Sequence, residues 1–550
     1  MRSWPFADPM PSHSSLVQSA FVTGVSPVEH FSPSTPQAGA YSAAALLSII
    51  FVAFFFAAVH KSKYPDPRFK AVPRGPQGFP VVGSFPFLTA YPELTLTRWQ
   101  QRYGPIYSMT LGRQLFVVVS DPGIAKELLV TNGLIFSSRK EMFLKSQIIF
   151  AGRGITASPY NDRWRTHRRI AAGLLDNAAV NRFMPVFDRE SIVFVKSLYE
   201  HGCAGTLPVN PQVHAGRCSL NNMLAVVFAT RTDSVDDPLV ATALKLSREF
   251  MNCTGPVSNL VDFVEWMQYI PTPMRSRAHR LHAALMEQYG GMIDTVQKRL
   301  ELGEDVPNCL AVNMIERREE EGLDWTDMCM LTSAFMIGGV ETTAAIMQWF
   351  AALIPSYPDI QARAHAELDA VIGRGRLPTP DDEPYLPYIR AIIKEVERTH
   401  NPFWLGTPHL STADYMTSTG DFIPKNTVVM LNTYGMHHDP QRYPDPHKFN
   451  PDRYFNDHLS VAESMNLADP YERDHWMFGA GRRACPGIAV AEREIWLTIS
   501  RMLWCFSMEA IPGQPIDLNE YDGQSGRSPV PFKIRCIPRH ENVAAVLARC

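Results

Sequence analysis

The sequence predicts a mainly α-helical body with a small β-rich region, preceded by one N-terminal transmembrane helix. Three observations carry that expectation. Apolar residues recur at helical spacing over long stretches, above all from about Trp325 to Leu353 and from Ile488 to Phe506. Strand signals are few: Ile106 to Leu111 and Leu115 to Val119 alternate or run apolar around Gly112-Arg113, as a β-hairpin does. Ala38 to Val59 carries no charge around an apolar core from Leu46 to Phe56, long enough to cross a bilayer as one helix.

Composition excludes several function classes. The 550 residues carry a formal net charge of −3 with no basic tract, so nucleic acid is not an expected partner. Nine cysteines are scattered without a CxxC, a CxxCH or a zinc-like Cys/His spacing, which argues against a disulfide framework, a c-type haem and a zinc finger. With 45% apolar residues and almost no low-complexity sequence after residue 75, the bulk reads as a large globular enzyme.

Residues 1–37, rich in Ser and Pro, read as a disordered head. Residues 38–59 read as a signal anchor, because a cleaved signal peptide needs a basic start and a shorter apolar core nearer the N-terminus. Lys61, Lys63, Arg68 and Lys70 follow the span, against Arg2 alone before it, which places the body in the cytosol as a single-pass protein of the endoplasmic reticulum. Residues 60–80 form a hinge punctuated by Pro65, Pro67, Pro73, Pro76 and Pro80, and residues 81–550 the catalytic domain.

Within that domain, the hairpin leads to Pro122 and a helix, and residues 137–160 read as irregular around Gly152 and Gly154. Trp164 and Arg168 lie four apart, on one face of a helix. Residues 170–320 carry helical patterns without assignable chemistry. Gly338-Gly-Val-Glu-Thr-Thr343 interrupts the long apolar helix, at a cost of roughly 1 kcal/mol per glycine plus a desolvated acid. Such a breach of local rules marks either a functional site or a kink at a helix crossing. Glu395 and Arg398, one turn apart, close a helix that begins near Leu386. Asn401 to His409 is expected to run as a strand lining a pocket, and Phe403, Trp404, Leu405, Phe335 and Met336 suggest an apolar or aromatic ligand.

Phe478-Gly-Ala-Gly-Arg-Arg-Ala-Cys-Pro-Gly487 then sets Cys485 in a glycine-rich loop just before a helix, among Arg482 and Arg483. Those surroundings favour a thiolate, a good soft ligand for iron. Gly479, Gly481 and Gly487 suit a loop that a flat macrocycle approaches closely. A buried cysteine acting as a small hydrophobe is the other reading of the same residue.

The pattern Phe478, Gly481, Arg483, Cys485 and Gly487 resembles the haem-binding loop of the cytochrome P450 haem-thiolate monooxygenases at every signature position. Gly338 to Thr343 resembles that family's distal helix motif, and Glu395-Val-Glu-Arg398 with Arg453 in Phe449-Asn-Pro-Asp-Arg-Tyr454 resembles its Glu-x-x-Arg triad. The resemblance, in order from about residue 73 to about residue 540, implies the cytochrome P450 fold and haem b with Cys485 as axial ligand. It implies Thr342 and Glu341 as managers of oxygen and protons, and Trp164, Arg168, His409, Phe478, Arg483 and Gly487 as haem-binding residues. Glu395, Arg398 and Arg453 would form a structural triad behind the loop.

By the same resemblance the activity is insertion of one atom of O2 into a small apolar organic substrate. No flavin or NADPH-binding segment is present, so electrons would come from NADPH-cytochrome P450 reductase, with cytochrome b5 as a second donor and Arg482 among the docking contacts. The connecting segments look most like those of filamentous-fungal members of secondary metabolism. The residues ahead of the anchor exceed the few that the family usually carries there. Two alternatives are a haem-thiolate isomerase or dehydratase that needs no O2, and a non-catalytic haem-binding protein. Glu341 and Thr342 weigh against both.

Overall fold

The computed structural model describes residues 67–550. The proposed head and anchor, and the start of the hinge, lie outside the described residues. From Pro67 the chain forms one short turn, Pro67–Ala71, and then runs irregularly through Pro73, Pro76 and Pro80.

The long helices are α1 Pro92–Tyr103, α2 Asp162–Leu175, α3 Asn177–His201, α4 Pro211–Phe228, α5 Pro238–Cys253, α6 Pro273–Glu301, α7 Trp325–Leu353, α8 Pro358–Val371, α9 Pro387–Thr399 and α10 Ile488–Cys505. Their starts are written in the sequence. Asn161, Asp176, Asn210, Asp237 and Thr272 each accept a backbone N–H of the turn that follows, and proline opens α4, α5 and α6, where its missing N–H costs nothing. Asp324 and Asp327 close a reciprocal capping box at the start of α7.

α7 is the centre of the molecule. It packs against α4, α5, α6 and α10, and nearly every side chain along it is buried. A helix this apolar passes a length-and-composition test for a membrane span, yet 83% of its most apolar window is buried inside the protein. It is therefore a core helix.

The principal sheet has the order β1-β2-β6-β3. β1 (Ile106–Leu111) and β2 (Gln114–Val119) pair antiparallel through a two-residue turn in which Gly112 takes φ +58°. β6 (Val428–Leu431) runs parallel to β2, and β3 (His409–Leu410) closes the edge antiparallel to β6. Small pairs complete the β content: β4 (Tyr415–Met416) with β5 (Phe422–Ile423), β7 (Phe506–Ala510) with β10 (Ile534–Pro538), and β8 (Tyr521–Asp522) with β9 (Ser528–Pro529).

The strand expected over Asn401 to His409 shrinks to its last residue. Pro402 and Pro408 offer no N–H to a ladder, Gly406 turns at φ +54°, and Asn401 caps the Phe403 N–H at 2.8 Å, so residues 401–408 form a chain of turns. Phe403 remains half-buried, whereas Trp404 and Leu405 pack into the core under the sheet, Trp404 edge-on to Tyr434 at 4.9 Å. Met336 is fully buried among helices. The supposedly irregular region 137–160 contains one wide helical turn, Phe143–Ile149.

Candidate haem-thiolate site

The loop before α10 is shaped by glycine. Gly479 and Gly481 take φ +70° and +61°, and a Cβ on Gly481 would lie 2.0 Å from the Leu129 carbonyl oxygen. The close approach at Gly481 is thus to the protein's own backbone. Gly487 has an ordinary φ of −93°, and a Cβ there would sit 3.9 Å from Cys485 Sγ. The Cys485 N–H donates to the Phe478 carbonyl at 2.9 Å, closing the loop and fixing where the sulfur projects.

The thiol is accessible to solvent although burial dominates its titration, raising its pKa against the Gly487 N–H and the charge of Arg168. A sulfur both accessible and enclosed faces an internal space rather than the outer surface. The cation beside it is Arg168, not the expected Arg482 or Arg483, because Arg483 turns away to donate to Ser137 O and Ser158 O, each at 2.7 Å.

On α7, Gly338 is exposed within an otherwise buried helix, and a Cβ there would meet nothing within 4 Å. Thr342, one turn on, donates its hydroxyl to the Gly338 carbonyl at 2.6 Å. A Cβ on Gly339 would instead strike Met223 Sδ at 2.3 Å, so this second glycine serves the packing of α7 on α4. Glu341 is engaged with other segments. Its carboxylate is held by Arg248 of α5 and accepts the Ser528 hydroxyl at 3.2 Å, and burial raises its pKa with Arg248 opposing.

Four basic groups from four segments meet without an anion. Arg168 donates to Ala484 O at 2.6 Å, Arg483 lies 4.0 Å over the Trp164 ring, Arg139 donates to Thr407 O, and His409 Nδ1 donates to Phe136 O at 2.6 Å. Among the described residues no carboxylate lies within ion-pair distance of any of them. Burial and then Arg168 pull Arg483 down to about 9, and burial and then Arg483 lower Arg139. His409 is neutral, because burial, Arg139 and Arg483 hold its pKa well below the usual range. Trp164 also departs from expectation: its indole N–H donates to Ile155 O at 2.9 Å, and its ring serves as a platform for Arg483. Unpaired buried cations are costly, so this cluster suits a ligand bearing carboxylates.

Behind the loop, Arg398 grips Glu395 through two hydrogen bonds of 2.7 and 2.8 Å, both side chains fully buried, and Arg453 Nε lies 3.4 Å from the same carboxylate. His437 relays this geometry to the loop: Nδ1 donates to Arg398 O at 3.0 Å, and Nε2 accepts the Trp476 N–H at 2.8 Å. Burial keeps His437 neutral, as that second bond requires. Sequence reasoning did not single out Arg139 or His437, because neither stands in a pattern of fixed residue types.

A family model described as cytochrome P450 matches residues 73–536. The chain belongs to the cytochrome P450 family. Its relatives include cytochrome P450 monooxygenase 58 of Postia placenta, 30% identical over 87% of this chain and 90% of that protein. Cytochrome P450 monooxygenase virE of Hypocrea virens is 31% identical over 87% and 88%, and cytochrome P450 monooxygenase patH of Penicillium expansum is 30% identical over 87% and 89%. Like them, this P450 is a haem-dependent monooxygenase, an oxidoreductase whose haem iron takes a cysteine thiolate as axial ligand. The P450 body is mostly helical with small sheets, and members of the family use O2, an organic substrate and a redox partner. The relatives' names do not favour an O2-independent isomerase or a non-catalytic carrier. The residues present fit the group: a loop sulfur facing an internal space, an uncovered glycine on the core helix, and an anion-free basic cluster suited to two propionates.

Proposed function

We propose that this P450 oxidises an apolar organic molecule in fungal secondary metabolism, with Cys485 as the axial thiolate. The cluster of Arg139, Arg168 and Arg483, which has no carboxylate partner among the described residues, carries this reading, since it provides for haem propionates beside Cys485. His409 and Trp164 complete that wall, Trp164 by seating Arg483. Phe478 and Gly487 frame the sulfur. Bound haem supplies the centre at which O2 is reductively activated.

The chain's own residues then position and protonate. Gly338 leaves room for a diatomic ligand against α7, and the Thr342 hydroxyl, parked on the Gly338 carbonyl, is placed to turn toward that ligand and donate. Glu341, buried with a raised pKa, holds a proton more readily than an exposed glutamate, and release from Arg248 would let it pass that proton toward Thr342. The apolar walls of α7 keep bulk water from the reacting atoms. Glu395, Arg398 and Arg453 act structurally, holding the loop through His437.

Electrons come from NADPH-cytochrome P450 reductase, with cytochrome b5 as auxiliary donor, docked on the face where Arg482 of the thiolate loop is exposed. Residues 38–59 anchor the chain in the endoplasmic reticulum membrane as a single span, with residues 1–37 before it, a proline-rich hinge after it and the catalytic body in the cytosol. A single experiment tests the reading. Microsomes containing the full chain and the reductase are washed with carbonate, then given NADPH, labelled O2 and a panel of polyketides, terpenoids and alkaloids. The enzyme should stay in the membrane pellet and place one labelled atom in a product. Release by the wash contradicts the anchor, and turnover without NADPH or without label contradicts the oxygenase.

A further inference from the structure

A cleft open to solvent borders the basic cluster and is apolar over much of its wall, with Phe116, Met142, Ala157, Phe403 and Val428. Three cations nevertheless face it, Arg139, Lys140 and Lys145, against a single carboxylate, Asp262. Most polar groups on this wall are already engaged. Arg139 donates to Thr407 O and belongs to the basic cluster. Asp262 accepts the Leu144 N–H at 2.9 Å, tying down the turn Phe143–Ile149, and burial lifts its pKa to about 7, which halves its charge near neutrality. Thr254 and Ser525 donate their hydroxyls to Phe250 O and Met251 O at 2.8 and 3.1 Å.

The two lysines of the wall differ from these groups, and of the two Lys145 carries the turn Phe143–Ile149. Among the described residues no hydrogen-bond acceptor or carboxylate reaches its ammonium, whose recorded neighbour is the face of Phe250, 5.6 Å from the ring centroid. Burial, with repulsion from Arg139, brings its pKa down to about 8 despite Asp262, so it is still largely charged at neutral pH. The cost of enclosing such a group is recovered when an anion pairs with it in the same low-dielectric space. The propionates do not need it, being served by Arg139, Arg168 and Arg483.

We propose that Lys145 anchors a carboxylate of the substrate, so that the molecule this P450 oxidises is an apolar acid lying along Phe116, Met142 and Phe403 with its charged end at the Phe143–Ile149 turn. This deepens the function proposed above and rests on it, since it assumes that the haem takes the arginines and leaves Lys145 to the substrate.

The test is calorimetric titration of the full-length holoenzyme with two matched pairs, 5-phenylpentanoic acid and its amide, and decanoic acid and its amide. In the wild type the acid should bind about tenfold or more tighter than the amide, the worth of a charge-assisted contact. Lys145→Met, which removes an unpaired, half-buried charge without changing length much, should abolish that preference and leave amide affinity and haem content unchanged. Lys145→Arg should retain the preference. Equal binding of acid and amide by the wild type, or an acid preference surviving in Lys145→Met, overturns the proposal. Loss of haem from Lys145→Met overturns it as well, by assigning the lysine to the cofactor. Haem missing from the wild type would instead refute the underlying reading.

Discussion

A methyl group on Gly481 would press on the Leu129 carbonyl from 2.0 Å, on a backbone at φ +61° that other residues adopt only under strain. Gly481→Ala is therefore expected to cost about 1–3 kcal/mol locally and to distort the loop that carries Cys485. The purified variant should show a lower Tm and a lower haem-to-protein absorbance ratio, whereas Gly338→Ala, with nothing within 4 Å of its new methyl, should keep its Tm. A Gly481→Ala variant with normal haem content would contradict the account of the loop. Residues of this kind were legible because the loop fixes residue types at fixed spacing. Arg139 was not: in a linear sequence it is one arginine in an irregular stretch. Its meaning arises only when Ser137, Thr407, Ala484 and Trp164 are brought together around three guanidinium groups. Trp164 shows an intermediate case, since its helix face could be read but not the direction of its N–H.

Among the elements, α10 carries a buried acid that no sequence pattern marked. Glu494 faces α4, where it accepts the Ser219 hydroxyl at 2.5 Å, and burial lifts its pKa to about 7 against Ser219 and Asn222. Folded protein therefore retains a proton there that unfolded chain has lost above a pKa of about 4.3. Stability contributed by the neutral form is complete below that value and declines as pH rises toward about 7, by up to about 4 kcal/mol. Glu494→Gln should remove this slope, so that denaturant midpoints of the wild type fall relative to the variant between pH 5 and pH 8. Parallel midpoints across that range would contradict a neutral Glu494. Helices and the hairpin were readable because caps, prolines and periodicity are local signals. Residues 401–408 were misread as a strand because apolar content outweighed Pro402, Gly406 and Pro408, whose backbone limits rule out a ladder.

For the molecule as a whole, the order of the motifs from the distal helix to the thiolate loop revealed the family, while the site itself depends on segments far apart in sequence. The α7 core helix and the proposed anchor at 38–59 show why composition alone misleads: both are apolar enough to span a bilayer, and only burial assigns α7 to the interior. Likewise, the cleft proposed for substrate draws on the turn Phe143–Ile149, the loop around Asp262 and the turns before β3, so its charge was invisible to any local window. The central claim is that Cys485 ligates the haem iron as a thiolate, and one spectrum tests it most directly. The purified protein and Cys485→Ala are reduced, exposed to carbon monoxide and compared by difference absorbance. The account predicts a strongly red-shifted Soret band in the wild type that disappears in the variant. The same band persisting in Cys485→Ala, or a histidine-type band in well-folded wild-type protein, would contradict it.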